Sequence, residues 1–391
     1  MISSDTIVIG LGAMGSACVY QLAKRGTKVL GIDQFSPPHQ MGSSHGDTRI
    51  TRQAIGEGEE YVPLALRSHE IWEELEKESG TRLLTRTGGL IIGRNTGTIL
   101  HGQDRFLQTT IDAARKFGIP HSVLSADELR KRCPQFRIED DYVGYHEPGA
   151  GYLRPELCVQ TQLELARKHG AQINLNEEVQ QITPLPDGSV EVKTNKGTYK
   201  AEKAIISAGP WVSKFFPEFA GVFKVYRQVL YWFDLPGDIT PYLPENCPIF
   251  IIVGAAADGI YGFPAIDGPR GGMKVAFEQY ETETTPETAN RDVSPDEVER
   301  AYTKYVSKHL PGLSNECIKA LPCLYTVTPD SRFVIDSHPE HPQIIIASPC
   351  SGHGFKHSAA IGEALAELAS EGRTRFDLTP FKISRFQSSG P

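Results

Sequence analysis

A short β-branched run, Thr6-Ile-Val-Ile, ends at Gly10, and Gly10, Gly12 and Gly15 stand at G-x-G-x-x-G spacing. A helical stretch follows and closes with Lys24 and Arg25 before Gly26, the charges and left-handed stop that suit a helix C-terminus. A second apolar run, Lys28-Val-Leu-Gly-Ile, ends in Asp33, about 20 residues past the glycines. Strand, glycine turn, helix, strand and acid in that order form the context a dinucleotide requires. Gly10 permits the tight turn, Gly12 admits backbone close to a pyrophosphate, and Gly15 lets helix and strand pack closely. The pyrophosphate would rest on the helix N-terminus, and Asp33 would accept hydrogen bonds from ribose hydroxyls.

The chain's 391 residues exceed one small domain and suffice for two or three compact units. A hydrophobic content of 39% with 23% charged residues describes an ordinary folded protein rather than a disordered one. The formal net charge of −8, without a long basic run, disfavours a nucleic-acid partner. Seven irregularly spaced cysteines argue against a disulfide framework and suit a reducing compartment. The N-terminal apolar run lacks a basic leader and is broken by the glycines, and no stretch is long and apolar enough to span a bilayer. These features predict a cytoplasmic protein with no membrane partner.

Further along, Tyr61 to Glu78, Phe106 to Phe117, Pro155 to His169, a stretch capped by Ser294 and Glu297 as far as Leu310, and Ser358 to Ser370 read as helices. Ser125 with Glu128 forms a capping box for a short helix that Cys133-Pro134 ends. Residues 220 to 290 read mostly as short strands and loops. Strands running into glycine turns occur at the start, near 204–211 and near 344–354. The pattern predicts an α/β fold with a Rossmann-type nucleotide domain assembled from separated segments and an inserted β-rich (α+β) domain. The segments are 1–80, 145–215 and 318–391 for the first, and 81–144 and 216–317 for the second. A nicotinamide enzyme more often completes its nucleotide domain in one early block, so this arrangement favours a flavin.

Several groupings carry possible chemistry. Ser351-Gly-His-Gly-Phe-Lys356 brings backbone N–H groups of Gly352, His353 and Gly354 and a helix N-terminus to one point, where a reduced flavin's negative charge would be stabilised. Arg49, Arg52 and Lys356 form a basic set, and arginine's planar fork suits a carboxylate or phosphate. Gly42-Ser-Ser-His-Gly46 matches the hydrolase pattern G-x-S-x-G, but a Pro-Pro loop precedes it where a strand should deliver Ser44 to a sharp elbow. His338-Pro-Glu-His341 and Cys350-Ser-Gly-His353 lack the paired spacing of a zinc site, and no metal is expected. By pattern alone Cys323 is one of seven cysteines and reads as buried and inert.

Taken together, Gly10-Leu-Gly-Ala-Met-Gly15, Ser44-His-Gly-Asp-Thr-Arg-Ile-Thr-Arg52, Gly56-Glu-Gly-Glu-Glu-Tyr-Val-Pro-Leu, Ala208-Gly-Pro-Trp211, Cys323-Leu-Tyr-Thr and Ser351-Gly-His-Gly-Phe-Lys356 resemble the monomeric sarcosine oxidase family. That family also holds N-methyltryptophan oxidase and pipecolate oxidase, within the glycine/D-amino-acid oxidase fold. The likeness runs from residue 5 to about 386. It implies FAD attached through its 8α-methyl to a cysteine matching Cys323, with Ser44, His45 and Arg49 around the flavin. It implies that Arg52 and Lys356 hold the substrate carboxylate with Tyr261 beside it, and that Lys274 lies near flavin N5 and assists oxygen. Glu278 takes the place of a histidine in the family's pocket, and Gln53-Ala-Ile55 replaces His-Ala-Tyr. A carboxylate for an imidazole shifts the expected substrate from sarcosine toward one with a bulkier or additional cationic group.

The expected activity is that of a flavin-dependent oxidase of secondary amino acids, N-methyl or cyclic, which yields an imine and H2O2 with O2 as acceptor and works as a monomer. Two rivals share many of these features: a flavin dehydrogenase using another electron acceptor, and a nicotinamide-dependent reductase.

Overall fold

The strand Ile2–Ile9 carries Ile7 and Val8 on opposite faces, and both are buried, as a strand covered on both sides requires. In the computed structural model, which describes residues 2–94, 97–219, 221–253 and 259–386, this strand lies inside an eight-stranded sheet. The expected domain segments also include residues 1, 95–96, 220, 254–258 and 387–391, which lie outside the described residues.

Five strands of this sheet run parallel: Gln172–Asn174, Val29–Ile32, Ile2–Ile9, Thr198–Ile206 and Ile344–Ser348. Val179–Pro184, Val190–Thr194 and Val334–Ser337 complete it in antiparallel pairing. The register aligns Ile9 with Ile206 and Ile206 with Ile346. The three turns that follow these strands therefore leave the sheet at one edge, although they are far apart in sequence. Strand ends of a parallel sheet are where such folds bind ligands. The helix Ser358–Glu371 crosses the helix Ala13–Lys24 so closely that a Cβ on Gly362 would sit 2.4 Å from Ala17 Cβ.

A second sheet of nine strands includes Gly89–Arg94, Tyr142–Glu147, Lys224–Phe233, Ile249–Val253, Ile260–Gly262, Met273–Ala276 and Cys317–Val327. The boundaries expected at 144/145 and 317/318 fall at strands of this sheet, one inside Tyr142–Glu147 and the other at the start of Cys317–Val327. Both strands pair with their neighbours in it along their lengths. A small sheet of Arg49–Thr51, Gly151–Leu153 and Leu84–Arg86 lies beside them, and Gly151 is required there because a Cβ would meet Thr85 O at 2.0 Å.

The helices fall close to where their apolar spacing predicts: Val62–Ser79, Phe106–Lys116, Pro155–Lys168 and Ser358–Glu371. Both capping boxes form, Ser125 with Glu128 and Ser294 with Glu297. The stretch after Ser294 is not one regular helix. It passes from the α-helix Pro295–Ala301 into a π-helical segment, Tyr302–Val306, before the last turn Ser307–His309.

Candidate active site

At the mouth of the first strand, Gly10 adopts φ +86°, and a Cβ there would lie 2.6 Å from Ser207 O. A Cβ on Gly15 would approach Gly10 O to 1.8 Å. Both positions are closed to any side chain. Gly12 caps the first helix without a side-chain bond of its own, while Ser44 Oγ accepts a hydrogen bond from Ala13 N at 3.1 Å. The remaining first-turn N–H groups are available to an anion. Asp33 receives Leu11 N on Oδ2 at 2.7 Å and Phe35 N on Oδ1 at 2.8 Å, so it ties the glycine turn to the second strand. Burial raises its carboxyl above the usual range, against these two hydrogen bonds and nearby His39.

From this cradle a cleft runs along the strand ends. Gly10, Gly12, Asp33, Ser44 and Trp211 line one part, and Arg49, Arg52, Tyr261, Glu278, Gly352 and Lys356 line another. The glycine cradle leaves no side chain in the way of a dinucleotide's phosphates. The turn 351–354 reaches this cleft because a Cβ on Gly354 would sit 1.8 Å from Pro349 O, so the chain can fold back on itself only with glycine there.

The second sheet supplies the opposing wall. Strand pairing sets Lys274 opposite Trp232, Tyr261 opposite Ala276, and Cys323 opposite Gln228. Lys274 and Cys323 are buried and stand behind the lining rather than on it. The Lys274 ammonium donates to Gly46 O at 2.7 Å, Thr48 O at 2.8 Å and Thr48 Oγ1 at 3.2 Å, which occupies its three protons. It also lies 4.6 Å from the Phe263 ring centre. Burial first, then Arg49, holds its pKa well below the usual lysine range. Arg49 Nη2 donates to Ser43 O at 2.8 Å and stands 3.9 Å from Cys323 Sγ. Burial pushes the Cys323 thiol up while Arg49 pulls it down. His45 is buried with neither ring nitrogen hydrogen-bonded, and burial together with Arg49 and Lys274 lowers its pKa to about 3, so the ring is neutral.

At the far end the basic pair comes together around an acid. Arg52 Nη2 meets Glu57 Oε2 at 2.5 Å, and Lys356 Nζ meets Glu57 Oε1 at 3.2 Å. Lys356 also donates to His353 O at 2.9 Å. Burial works to raise the Glu57 pKa, but Arg52, Lys356, His353 and His101 outweigh it and hold the carboxyl well below its usual range. Burial, aided by Arg52 and opposed by Glu57, brings Lys356 down to about 8. Two cations, brought from positions 304 residues apart in the chain (356 − 52), thus grip one carboxylate on the cleft wall.

Residues 5–368 match the family described as FAD dependent oxidoreductase. The chain belongs to that family. This flavoprotein is 40% identical to a monomeric sarcosine oxidase of Streptomyces avermitilis, over 98% of each chain. It is 36% identical to an N-methyl-L-tryptophan oxidase of Salmonella heidelberg, covering 98% of this chain and 99% of the relative. In structure it resembles NikD, an unusual amino acid oxidase of nikkomycin biosynthesis, with a TM-score of 0.83 and 22% identity over 98% of each chain. It also resembles L-proline dehydrogenase from P. horikoshii, with a TM-score of 0.81 and 23% identity over 99% of this chain and 98% of the other. The expected α/β fold with a Rossmann-type FAD-binding domain and the expected family agree with these likenesses.

Most of the site residues named from sequence converge on the flavoprotein's cleft. Gly10, Gly12, Asp33, Ser44, Arg49, Arg52, Tyr261, Glu278, Gly352, His353, Gly354 and Lys356 line it. Gly15, His45, Lys274 and Cys323 lie one layer behind. Three neighbours carried no assignment from sequence. Glu57 lies in the quoted run Gly56-Glu-Gly, where a glycine-flanked acid five residues past Arg52 was the available signal. Tyr325 follows Cys323 by two along the same strand and so faces the same side; its hydroxyl lies 3.1 Å from that of Tyr261. His101 sits in a hairpin whose sequence gives no such signal.

Proposed function

We propose that this flavoprotein oxidises secondary amino acids, N-methyl or cyclic, using O2 as acceptor. The observation that carries the reading is the clasp of Arg52 and Lys356 around one carboxylate, Glu57, on the wall of the cleft that begins at the glycine cradle. Two cations arranged for a carboxylate of the chain are equally arranged for that of an amino acid.

Gly10, Gly12, the first-turn N–H groups and Asp33 would hold the dinucleotide's phosphates and ribose, and the turn at Gly352–Gly354 would face its redox-active ring. Bound there, FAD would supply the redox chemistry, the two-electron oxidation of the CH–NH unit coupled to reduction of O2 to H2O2. Arg52 and Lys356 fix the carboxylate, which orients the carbon next to nitrogen. Tyr261 and Tyr325 wall the same space and keep water from it. Lys274, held behind the lining by Gly46 O, Thr48 O and Thr48 Oγ1, would in its protonated form oppose the negative charge that O2 acquires, although burial and Arg49 depress its pKa. The imine that leaves is hydrolysed by solvent water.

The reading extends to a covalent thioether between Cys323 and the flavin; burial raises the thiol's pKa overall, and the Arg49 guanidinium beside its sulfur works against that toward the thiolate. It also covers the division of the chain into 1–80, 145–215 and 318–391 against 81–144 and 216–317, a monomeric state and a cytoplasmic location; no helix among the described residues is long and apolar enough to cross a membrane.

The test is peroxide release by the FAD-loaded protein with sarcosine, N-methyl amino acids, L-proline and pipecolate. Peroxide in step with amine consumed supports the oxidase. Reduction of an artificial dye without peroxide would make the protein a dehydrogenase instead. Acid precipitation then tests the thioether: yellow pellet for wild type and yellow supernatant for Cys323→Ser is the expected pair.

A further inference from the structure

The loop that holds Lys274 is itself held from another part of the chain. Gly46 and Asp47 adopt φ +100° and +67°, and Thr48 N donates to Gly46 O at 2.7 Å. A three-residue turn closed around a central residue of positive φ is rare and strained. A residue other than glycine keeps that shape only where its surroundings impose it. Glu156, in the first turn of the helix Pro155–Lys168, imposes it here: its Oε1 accepts Gly46 N at 2.6 Å and Asp47 N at 3.2 Å. On another side a Cβ on Gly46 would meet Leu230 Cδ1 at 2.5 Å, so the turn is also pressed against the second sheet.

The peptide unit between Gly46 and Asp47 joins the two charges directly. Its N–H donates to Glu156, and its C=O accepts from the Lys274 ammonium. Its dipole therefore lies with the negative group at the N–H end and the positive group at the C=O end. Both bonds are charge-assisted, and linked hydrogen bonds of this kind strengthen one another. The Asp47 carboxylate is taken up by Lys319 Nζ at 2.6 Å, and Lys319 and Lys274 lie 4.4 and 5.4 Å from the centre of the same Trp232 ring. Arg49, Cys323 and His45 are the other ionisable groups around Lys274. Arg49 opposes its protonation, whereas Asp47, Cys323 and Glu156 favour it. Glu156 does not line the cleft, so a role for it runs through the turn rather than through contact with substrate.

We propose that Glu156 is the positioning residue for Lys274: it sets the 46–48 turn so that two carbonyls and a hydroxyl face the ammonium, and its charge, carried across the Gly46–Asp47 peptide, keeps that ammonium protonated. The inference rests on Lys274 assisting O2 in the proposed oxidase and names the group that fixes it for that task.

The experiment follows the Lys274 charge by NMR in FAD-loaded protein labelled with 13C at the lysine ε-carbons, with Lys274→Met marking the signal. In Glu156→Gln, which keeps an acceptor oxygen but loses the charge, Lys274 should titrate about one pH unit lower than in wild type, a tenfold effect. Reoxidation of the reduced variant by O2 should slow by about tenfold, the worth of a charge-assisted hydrogen bond, with a much smaller change in anaerobic reduction by substrate. Glu156→Asp, which restores the charge one methylene further back, should recover most of both. A merely structural tie would lower the melting temperature and slow both half-reactions alike, with the Lys274 titration left at its wild-type pH; that result overturns the proposal. Should Glu156→Gln not fold, Glu156→Asp decides the matter through its smaller downward shift of the titration, and no shift overturns the proposal. Should no substrate yield peroxide even in wild type, the oxidase reading falls separately. The titration then still decides the inference: a lower value in Glu156→Gln sustains it, and an unchanged value ends it.

Discussion

Arg52 and Glu57 form an ion pair at 2.5 Å with each side chain only 3% exposed, and the same carboxylate holds Lys356. A charge pair buried this deeply is costly to break, because the surviving partner is left in a medium that cannot solvate it. Glu57 therefore keeps two cations folded and in place. It also occupies the role that a substrate carboxylate would take.

Glu57→Gln should lower stability by about 3–5 kcal/mol, the usual penalty for stranding a buried charge. A simple carboxylate such as propionate should then raise the melting temperature of the variant more than that of wild type. Equal ligand-induced shifts would mean that Glu57 and the ligand do not share a site.

Arg52→Ala removes one arm of the clasp. We expect KM for a secondary amino acid to rise by about tenfold to a hundredfold, the range for charge-assisted hydrogen bonds, with a smaller change in kcat because binding is lost in ground and transition states alike. An unchanged KM would take Arg52 out of the substrate site.

Lys356 gives the site a pH dependence of known sign. Its pKa is depressed to about 8, by burial first and Arg52 second. The protonated form attracts an anion, so carboxylate affinity should be flat below pH 8 and weaken as pH rises through it. Titrating propionate binding rather than turnover keeps the substrate amine out of the measurement. Affinity that improves above pH 8 would contradict the assignment.

Lys274 grips Gly46 O, Thr48 O and Thr48 Oγ1 as well as carrying charge. Lys274→Met should slow reoxidation by O2 far more than anaerobic reduction by substrate, and should also lower the melting temperature because the 46–48 carbonyls lose their donor. Stopped-flow traces of the two half-reactions separate these effects. Equal slowing of both halves would leave Lys274 a structural residue only.

Gly15→Ala places a Cβ 1.8 Å from Gly10 O, a contact that only backbone movement relieves. The variant should fail to take up FAD and emerge colourless. Retention of full flavin content would show that the turn can open without losing the cofactor.

The glycine fingerprint could be read directly because it is local. Gly10, Gly12, Gly15 and Asp33 lie within 24 residues (33 − 10 + 1), and backbone sterics dictate each of them. The helices were equally legible from apolar spacing and caps such as Ser125 with Glu128. The π-helical turn at Tyr302–Val306 was not, since no local residue preference marks it. The partner of the strand Cys317–Val327 was not legible either: a strand's sequence does not state its partner, and this one pairs with Lys224–Phe233.

By itself the sequence determined the nucleotide cradle, the separated segments of the parallel sheet and the identity of most groups around the cleft. Only the tertiary structure decided that Glu57 stands between Arg52 and Lys356, and that His101 from a distant hairpin abuts Glu278. The physical reason is range. A turn or helix is fixed by neighbours a few residues away, whereas charges buried at one point from five places in the chain meet only after two sheets have closed on each other.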